Sequence, residues 1–145
     1  MTIFLPDTQT TEQLGAQLWT LIPACAVVFL YGNLGVGKTT LVRAYLRAGG
    51  FLGTVKSPTY TLVEEYALGE RKICHFDLYR INDPEELEWI GIRDYLSQEG
   101  VCFVEWPDKG KGYLVEPDIT LELSLEGMGR RLSCRGLDLA KLTKF

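Results

Sequence analysis

The chain has 145 residues, 46% of them apolar and 23% charged, and its 15 basic and 19 acidic side chains give a net charge of −4. That composition excludes a disordered chain, and no apolar run reaches the ~20 residues of a membrane-spanning helix. The basic pairs Arg71-Lys72 and Arg130-Arg131 are too short to make a basic face for nucleic acid. The length predicts one domain, residues 1–145, with a core large enough to need no disulfide or metal staple. Cys25, Cys74, Cys102 and Cys134 form no CxxC pair and each adjoins apolar residues, which predicts buried, reduced thiols in a cytoplasmic setting. The amino terminus lacks the basic-then-apolar pattern of a signal peptide.

In chain order, Thr10-Thr11-Glu12-Gln13 reads as a capping box opening a helix with Leu14, Leu18, Leu21 and Ile22 on one face, stopped by Pro23. Cys25 to Tyr31 is a continuous apolar run, the pattern of a strand covered on both faces. A loop over Gly32 to Gly37 and a helix over Lys38 to Ala48 follow. Strands near Tyr60 to Tyr66 and Lys72 to Phe76 are close enough to pair antiparallel. Asp83-Pro84-Glu85-Glu86 opens two short helices between Pro84 and Gln98. Val101 to Val104 is a second buried strand. Ile119, Leu121, Leu123 and Leu125 alternate with Thr120, Glu122 and Ser124, as on a strand with one wet face. Arg131 to Cys134 is placed to pair with it, and Leu137 to Leu142 reads as a short closing helix. The mixture predicts an α/β sandwich with a partly antiparallel central sheet flanked by helices.

The chemistry concentrates at Gly32-Asn33-Leu34-Gly35-Val36-Gly37-Lys38-Thr39, a full GxxxxGK[ST] phosphate-binding loop between an apolar strand and a helix. Its glycines let backbone amides approach phosphate oxygens, and the helix start adds positive potential. Lys38 is placed for the β and γ phosphates, the Thr39 hydroxyl for Mg²⁺, and the Thr40 amide for the α phosphate. Such a P-loop protein also needs a carboxylate at the end of a neighbouring strand. Val101-Cys102-Phe103-Val104-Glu105 and Ile73-Cys74-His75-Phe76-Asp77 each offer one. Either acid can hold Mg²⁺ through water while the other orients the attacking water; Glu105 is favoured for the metal because its strand is the more completely apolar.

Ser57-Pro58-Thr59-Tyr60 stands where a loop sensing the γ phosphate would lie, although spacing alone equally fits a plain turn. His75, the only histidine, reads as a satisfied interior residue. Trp106 reads as core packing beside the site, and Arg80 as a surface ion-pair partner rather than an arginine finger. No Asn-Lys dipeptide exists, so the guanine-reading Asn-Lys-x-Asp element is absent and ATP is the expected nucleotide. A small-molecule kinase and a nucleotide-gated binding module are the alternatives, but no arginine-rich lid lies between Glu65 and Gln98.

GNLGVGKTT (Gly32 to Thr40), KSPTYTLVEEY (Lys56 to Tyr66), HFDLYR (His75 to Arg80), DPEELEWIGIRDY (Asp83 to Tyr95) and VEWPDKG (Val104 to Gly110) together resemble, in order and spacing, the TsaE (YjeE) family. The resemblance covers roughly residues 6 to 135 and is weak after Gly127. It implies a single P-loop domain of mixed strand order that binds ATP and Mg²⁺ and hydrolyses ATP slowly alone. It also implies action with TsaB and TsaD in threonylcarbamoyladenosine modification of tRNA beside the anticodon. The partners would meet the tRNA, in keeping with the acidic charge here. Carried over, Lys38 and Thr39 are the phosphate and metal residues, with Asn33, Leu34, Gly35, Val36, Gly37 and Thr40 completing the nucleotide loop. Glu105 matches the metal-linked acid and Asp77 the second essential acid. Thr8 matches a residue near the nucleobase, with Arg131 across that pocket.

Overall fold

The computed structural model describes residues 1–142. Seven strands form one sheet: β1 (Thr2–Leu5), β2 (Ala26–Tyr31), β3 (Val63–Leu68), β4 (Arg71–Asp77), β5 (Val101–Glu105), β6 (Ile119–Glu126) and β7 (Gly129–Arg135). Their spatial order is β1-β7-β6-β2-β5-β4-β3. The four central strands β6, β2, β5 and β4 run parallel; β7 and β3 pair antiparallel to β6 and β4, and β1, antiparallel to β7, runs in the central direction again. Helices α1 (Thr8–Leu21) and α2 (Lys38–Ala48) cover one face, and the short helices α3 (Glu86–Trp89) and α4 (Ile92–Ser97) cover part of the other. The protein is thus an α/β P-loop sandwich around a mixed sheet.

Side-chain alternation sorts the core. Val28 and Leu30 of β2 with Val101 and Phe103 of β5 enter the larger cluster under α1 and α2. Val27, Phe29, Cys102 and Val104 enter the smaller one under α3 and α4. Strands buried on both faces have no polar position to spare, which is why β2 and β5 read as unbroken apolar runs. In β6, Ile119, Leu121 and Leu123 are buried whereas Glu122 and Ser124 face solvent, as the alternation predicts; Leu125, at the strand's end, is exposed. The α1–α2 contact is close because Gly15 has no side chain: a Cβ there would lie 2.6 Å from the Leu41 carbonyl oxygen.

Several expectations shift. α1 begins at Thr8, not at Thr10, because Asp7 is the cap: its Oδ1 accepts from the Thr10 amide at 2.8 Å and from the Thr10 hydroxyl at 2.6 Å. β3 starts at Val63, three residues late, because Ser57 to Leu62 is a turn closed by the Leu62 amide on the Pro58 carbonyl at 2.8 Å. The closing helix is a single 3-10 turn, Leu139–Lys141. Cys74, Cys102 and Cys134 are buried free thiols, but Cys25 is exposed, one residue ahead of β2. β1 had no sequence signal: four residues long, it pairs with β7 from the far end of the chain. Among the described residues no helix is long and apolar enough to cross a membrane.

Candidate functional site

The site forms at the carboxyl ends of β2, β4 and β5. β2 delivers the chain into the loop Gly32 to Gly37, and α2 starts at Lys38. Gly32, Gly35 and Gly37 have φ of 149°, 77° and 113°, values that L side chains rarely adopt. A Cβ at Gly32 would meet the Leu123 carbonyl oxygen at 2.8 Å. Gly37 precedes α2 with no side-chain cap, so the first-turn amides are left facing the cavity that an anion would fill. The loop is braced from the sheet, since the Arg130 Nε–H donates to the Val36 carbonyl at 2.8 Å.

A cavity of about 210 Å³ is lined by Leu34, Gly35, Gly37, Lys38, Thr39, Thr40, Ser57, Thr59, Asp77 and Glu105. The sequence placed Lys38, Thr39, Asp77 and Glu105 together, and the fold brings them together. Asp77 and Glu105 are register partners on β4 and β5, hence side by side on the same sheet face. Lys38 is 5% exposed, and its ammonium donates to the Gly32 carbonyl at 2.5 Å, lies 3.5 Å from Glu105 Oε1 and sits 4.5 Å above the Trp106 ring. Asp77 Oδ2 accepts from the Thr59 hydroxyl at 2.9 Å and Oδ1 from the Tyr79 amide at 2.9 Å. The Ser57 and Thr59 hydroxyls are 2.8 Å apart, so the Ser57–Thr59 segment is linked to the β4 acid.

His75, two residues before Asp77, is interior as the sequence predicts but not fully satisfied. It is fully buried, with Nε2 2.5 Å from Glu105 Oε2, but its Nδ1 has no partner among the described residues. Only the parallel register between β4 and β5 could have revealed that link. Trp106 stands directly beyond Glu105 with φ 55°, packed between Lys38 and the Tyr79 ring, whose centroid is 5.0 Å away. Arg80 makes no ion pair among the described residues; its guanidinium lies 4.1 Å over the exposed Tyr60 ring.

Two larger cavities flank the loop. One, about 460 Å³, is lined by Thr8, Thr11, Gly37, Thr40, Met128 and Arg130, among others. Arg130, not Arg131, stands on its wall: adjacent strand residues point to opposite faces, and Arg131 pairs instead with Glu126. Asp7, at the mouth, is held below its usual carboxylate range by the Thr10 hydroxyl and amide. The other, about 500 Å³, lies against Asn33, Leu34, Val36, Trp106, Asp108 and Glu122. Tyr31 on its wall is pushed up by burial, then by the charges of Asp108, Glu122 and Glu116.

The donor set suits Mg²⁺. The Thr39 side chain and two carboxylates line the same cavity, while among the described residues no group of three His, Cys, Asp or Glu forms a cage. Mg²⁺ typically takes one or two carboxylates and completes its shell with substrate phosphates and water. The amide-lined loop beside these acids is where such phosphates would sit.

Comparison with known proteins agrees with this geometry. A family model described as threonylcarbamoyl adenosine biosynthesis protein TsaE matches residues 5–132. A Haemophilus influenzae protein named tRNA threonylcarbamoyladenosine biosynthesis protein TsaE is 45% identical over 128 residues, covering 85% of this chain and 81% of that one. The Aquifex aeolicus protein of the same name is 35% identical over 131 residues, covering 89% and 90%. In fold, the chain is similar to the crystal structure of YdiB from Bacillus subtilis, with a TM-score of 0.76, 22% identity, and coverage of 91% and 82%. With the family model spanning nearly all of the sheet and the whole phosphate loop, the chain belongs to the TsaE family of threonylcarbamoyl adenosine biosynthesis proteins.

Proposed function

We propose that this chain, acting as one domain, is the Mg²⁺-dependent ATPase subunit of a cytoplasmic complex that makes threonylcarbamoyladenosine in tRNA, with TsaB and TsaD as its partners. The observation that carries the reading is the convergence of Lys38, Thr39, Asp77 and Glu105 on one cavity at the end of a glycine loop. Family membership supports the pathway.

In this reading the amides of Asn33 to Thr40 cradle the phosphates, and Lys38 leaves the Gly32 carbonyl for the β and γ oxygens. Thr39 and Glu105 would hold Mg²⁺, which when bound neutralises charge on the polyphosphate. Asp77 fixes the attacking water, and the Thr59 hydroxyl that it accepts from reports the state of the site to the 57–62 turn. Thr8 and, in place of Arg131, Arg130 flank the base and ribose in the neighbouring cavity. Hydrolysis is slow alone because Ser57, Tyr60 and Thr61 of this turn are exposed, and a partner surface closes over them. The net charge of −4 leaves contact with tRNA to the partners.

The test measures ATP turnover and modified tRNA yield with and without TsaB and TsaD. The reading predicts that the partners raise turnover and that modification needs both Lys38 and Glu105. If the partners change neither quantity, it fails. A kinase would instead phosphorylate a small hydroxylated acceptor faster than water.

A further inference from the structure

His75 is a buried titratable side chain to which the mechanism above gives no task. His75 lies in the middle of β4 between Ile73 and Asp77, all three on the sheet face that α2 covers. It is fully buried, and its ring meets Phe103 edge-on with centroids 6.4 Å apart. Among the described residues its one polar contact is Nε2 to Glu105 Oε2 at 2.5 Å, and Nδ1 is sealed from solvent without a partner. A carboxylate only accepts, so Nε2 carries the proton and donates. A side chain kept for packing alone would be apolar here, because the imidazole buries an unsatisfied acceptor that an apolar ring would not have.

The two oxygens of Glu105 are engaged differently. Oε1 faces the Lys38 ammonium at 3.5 Å, a contact that ends once Lys38 moves to phosphate. Oε2 is held from a central strand that has no such freedom. We propose that His75 is a positioning residue for hydrolysis: by pinning Oε2 from inside the sheet, it keeps the Glu105 carboxylate at the strand end when Lys38 leaves, with Oε1 free for the site. Without it, the carboxylate turns away from the strand end and Oε1 no longer faces the site. This rests on the ATPase reading.

The experiment compares His75→Phe, His75→Gln and His75→Asn in the full chain with TsaB and TsaD present. His75→Phe keeps the ring volume and removes the donor, Gln returns a donor at similar reach, and Asn is shorter. The readouts are kcat, KM for ATP, Tm, and the Mg²⁺ concentration that half-saturates binding of a fluorescent ATP analogue. Loss of an outer hydrogen-bond partner behind such a site typically costs about 10- to 100-fold. His75→Phe is expected to lose that much kcat with KM little changed and Tm equal or higher, and to need more Mg²⁺ for analogue binding. His75→Gln is expected to recover most of both losses and His75→Asn little. Equal kcat and Mg²⁺ dependence across the three variants and wild type would overturn the positioning role. So would a loss of rate with a matching fall in Tm that Gln does not repair. If Glu105→Gln abolishes turnover while every His75 variant keeps it, the positioning role fails and the ATPase reading stands. If the wild-type chain with partners neither binds the analogue nor turns over ATP, both fall.

Discussion

Asp77 and Glu105 end adjacent parallel strands in matched register, yet they are supported from opposite directions. Glu105 is held from the buried interior, by His75 on β4 and by Lys38 at the first turn of α2. Asp77 is held from outside it, by the Thr59 hydroxyl on the 57–62 turn and by the Tyr79 amide just beyond the strand. The supports of Glu105 are buried, whereas those of Asp77 reach through Thr59 to the exposed Ser57. The difference teaches how one site can be fixed and responsive at once. The sheet sets the position of one acid, and a turn whose last residue, Leu62, carries a left-handed φ of 72° sets the other.

The largest effect expected is from Lys38→Ala. It removes the ammonium common to the loop carbonyl, Glu105 and the Trp106 ring, and a fall in ATP turnover beyond ~10²-fold is expected, with loss of nucleotide binding. Glu105→Gln keeps shape and removes charge. It should lower kcat by ~10²-fold or more while nucleotide binding survives, as equilibrium binding and single-turnover rates would show. Thr59→Val separates the two supports: it cuts the turn from Asp77 and leaves the Glu105 side intact. A loss of about 10-fold in partner-stimulated turnover, with the Mg²⁺ requirement unchanged, is expected. If Thr59→Val shifted the Mg²⁺ requirement instead, the contrast between the acids would collapse.

The smallest effect sharpens the contrast with a carboxylate remote from the pair. Asp7 caps α1 and is held below its ordinary range by the Thr10 hydrogen bonds. A depressed folded-state pKa adds stability that is present above the unfolded pKa and disappears as pH falls through the folded one. Asp7→Ala should therefore lower Tm at pH 7, with the charge-dependent part of the difference vanishing as pH falls below the ordinary carboxylate range and through the lowered folded-state value.

Much of this was legible locally. The glycine loop and the helix at Lys38 were bounded by sequence alone, because glycines and apolar runs act within a few residues of themselves. β2, β5 and the alternation of β6 were legible for the same reason. What escaped depends on register between distant segments. β1 is held by β7 at the other end of the described chain, Thr2 opposite Ser133 through Leu5 opposite Arg130. Arg130 rather than Arg131 faces the large cavity because pairing, not composition, chooses which neighbour points inward. His75 meets Glu105 across 30 residues because β4 and β5 run parallel. The Asp7 cap was obscured by the capping-box pattern immediately after it, which it outcompetes for the Thr10 amide.

The central claim is that the 32–39 loop, Lys38 and the paired acids hold a magnesium-bound nucleotide. Calorimetric titration of the folded chain with MgATP tests it most directly. The account predicts a saturable heat with one site per chain, weakened by chelating Mg²⁺ and lost in Lys38→Ala. Absence of any saturable heat from wild type at millimolar MgATP, or an equal heat from Lys38→Ala, would contradict it.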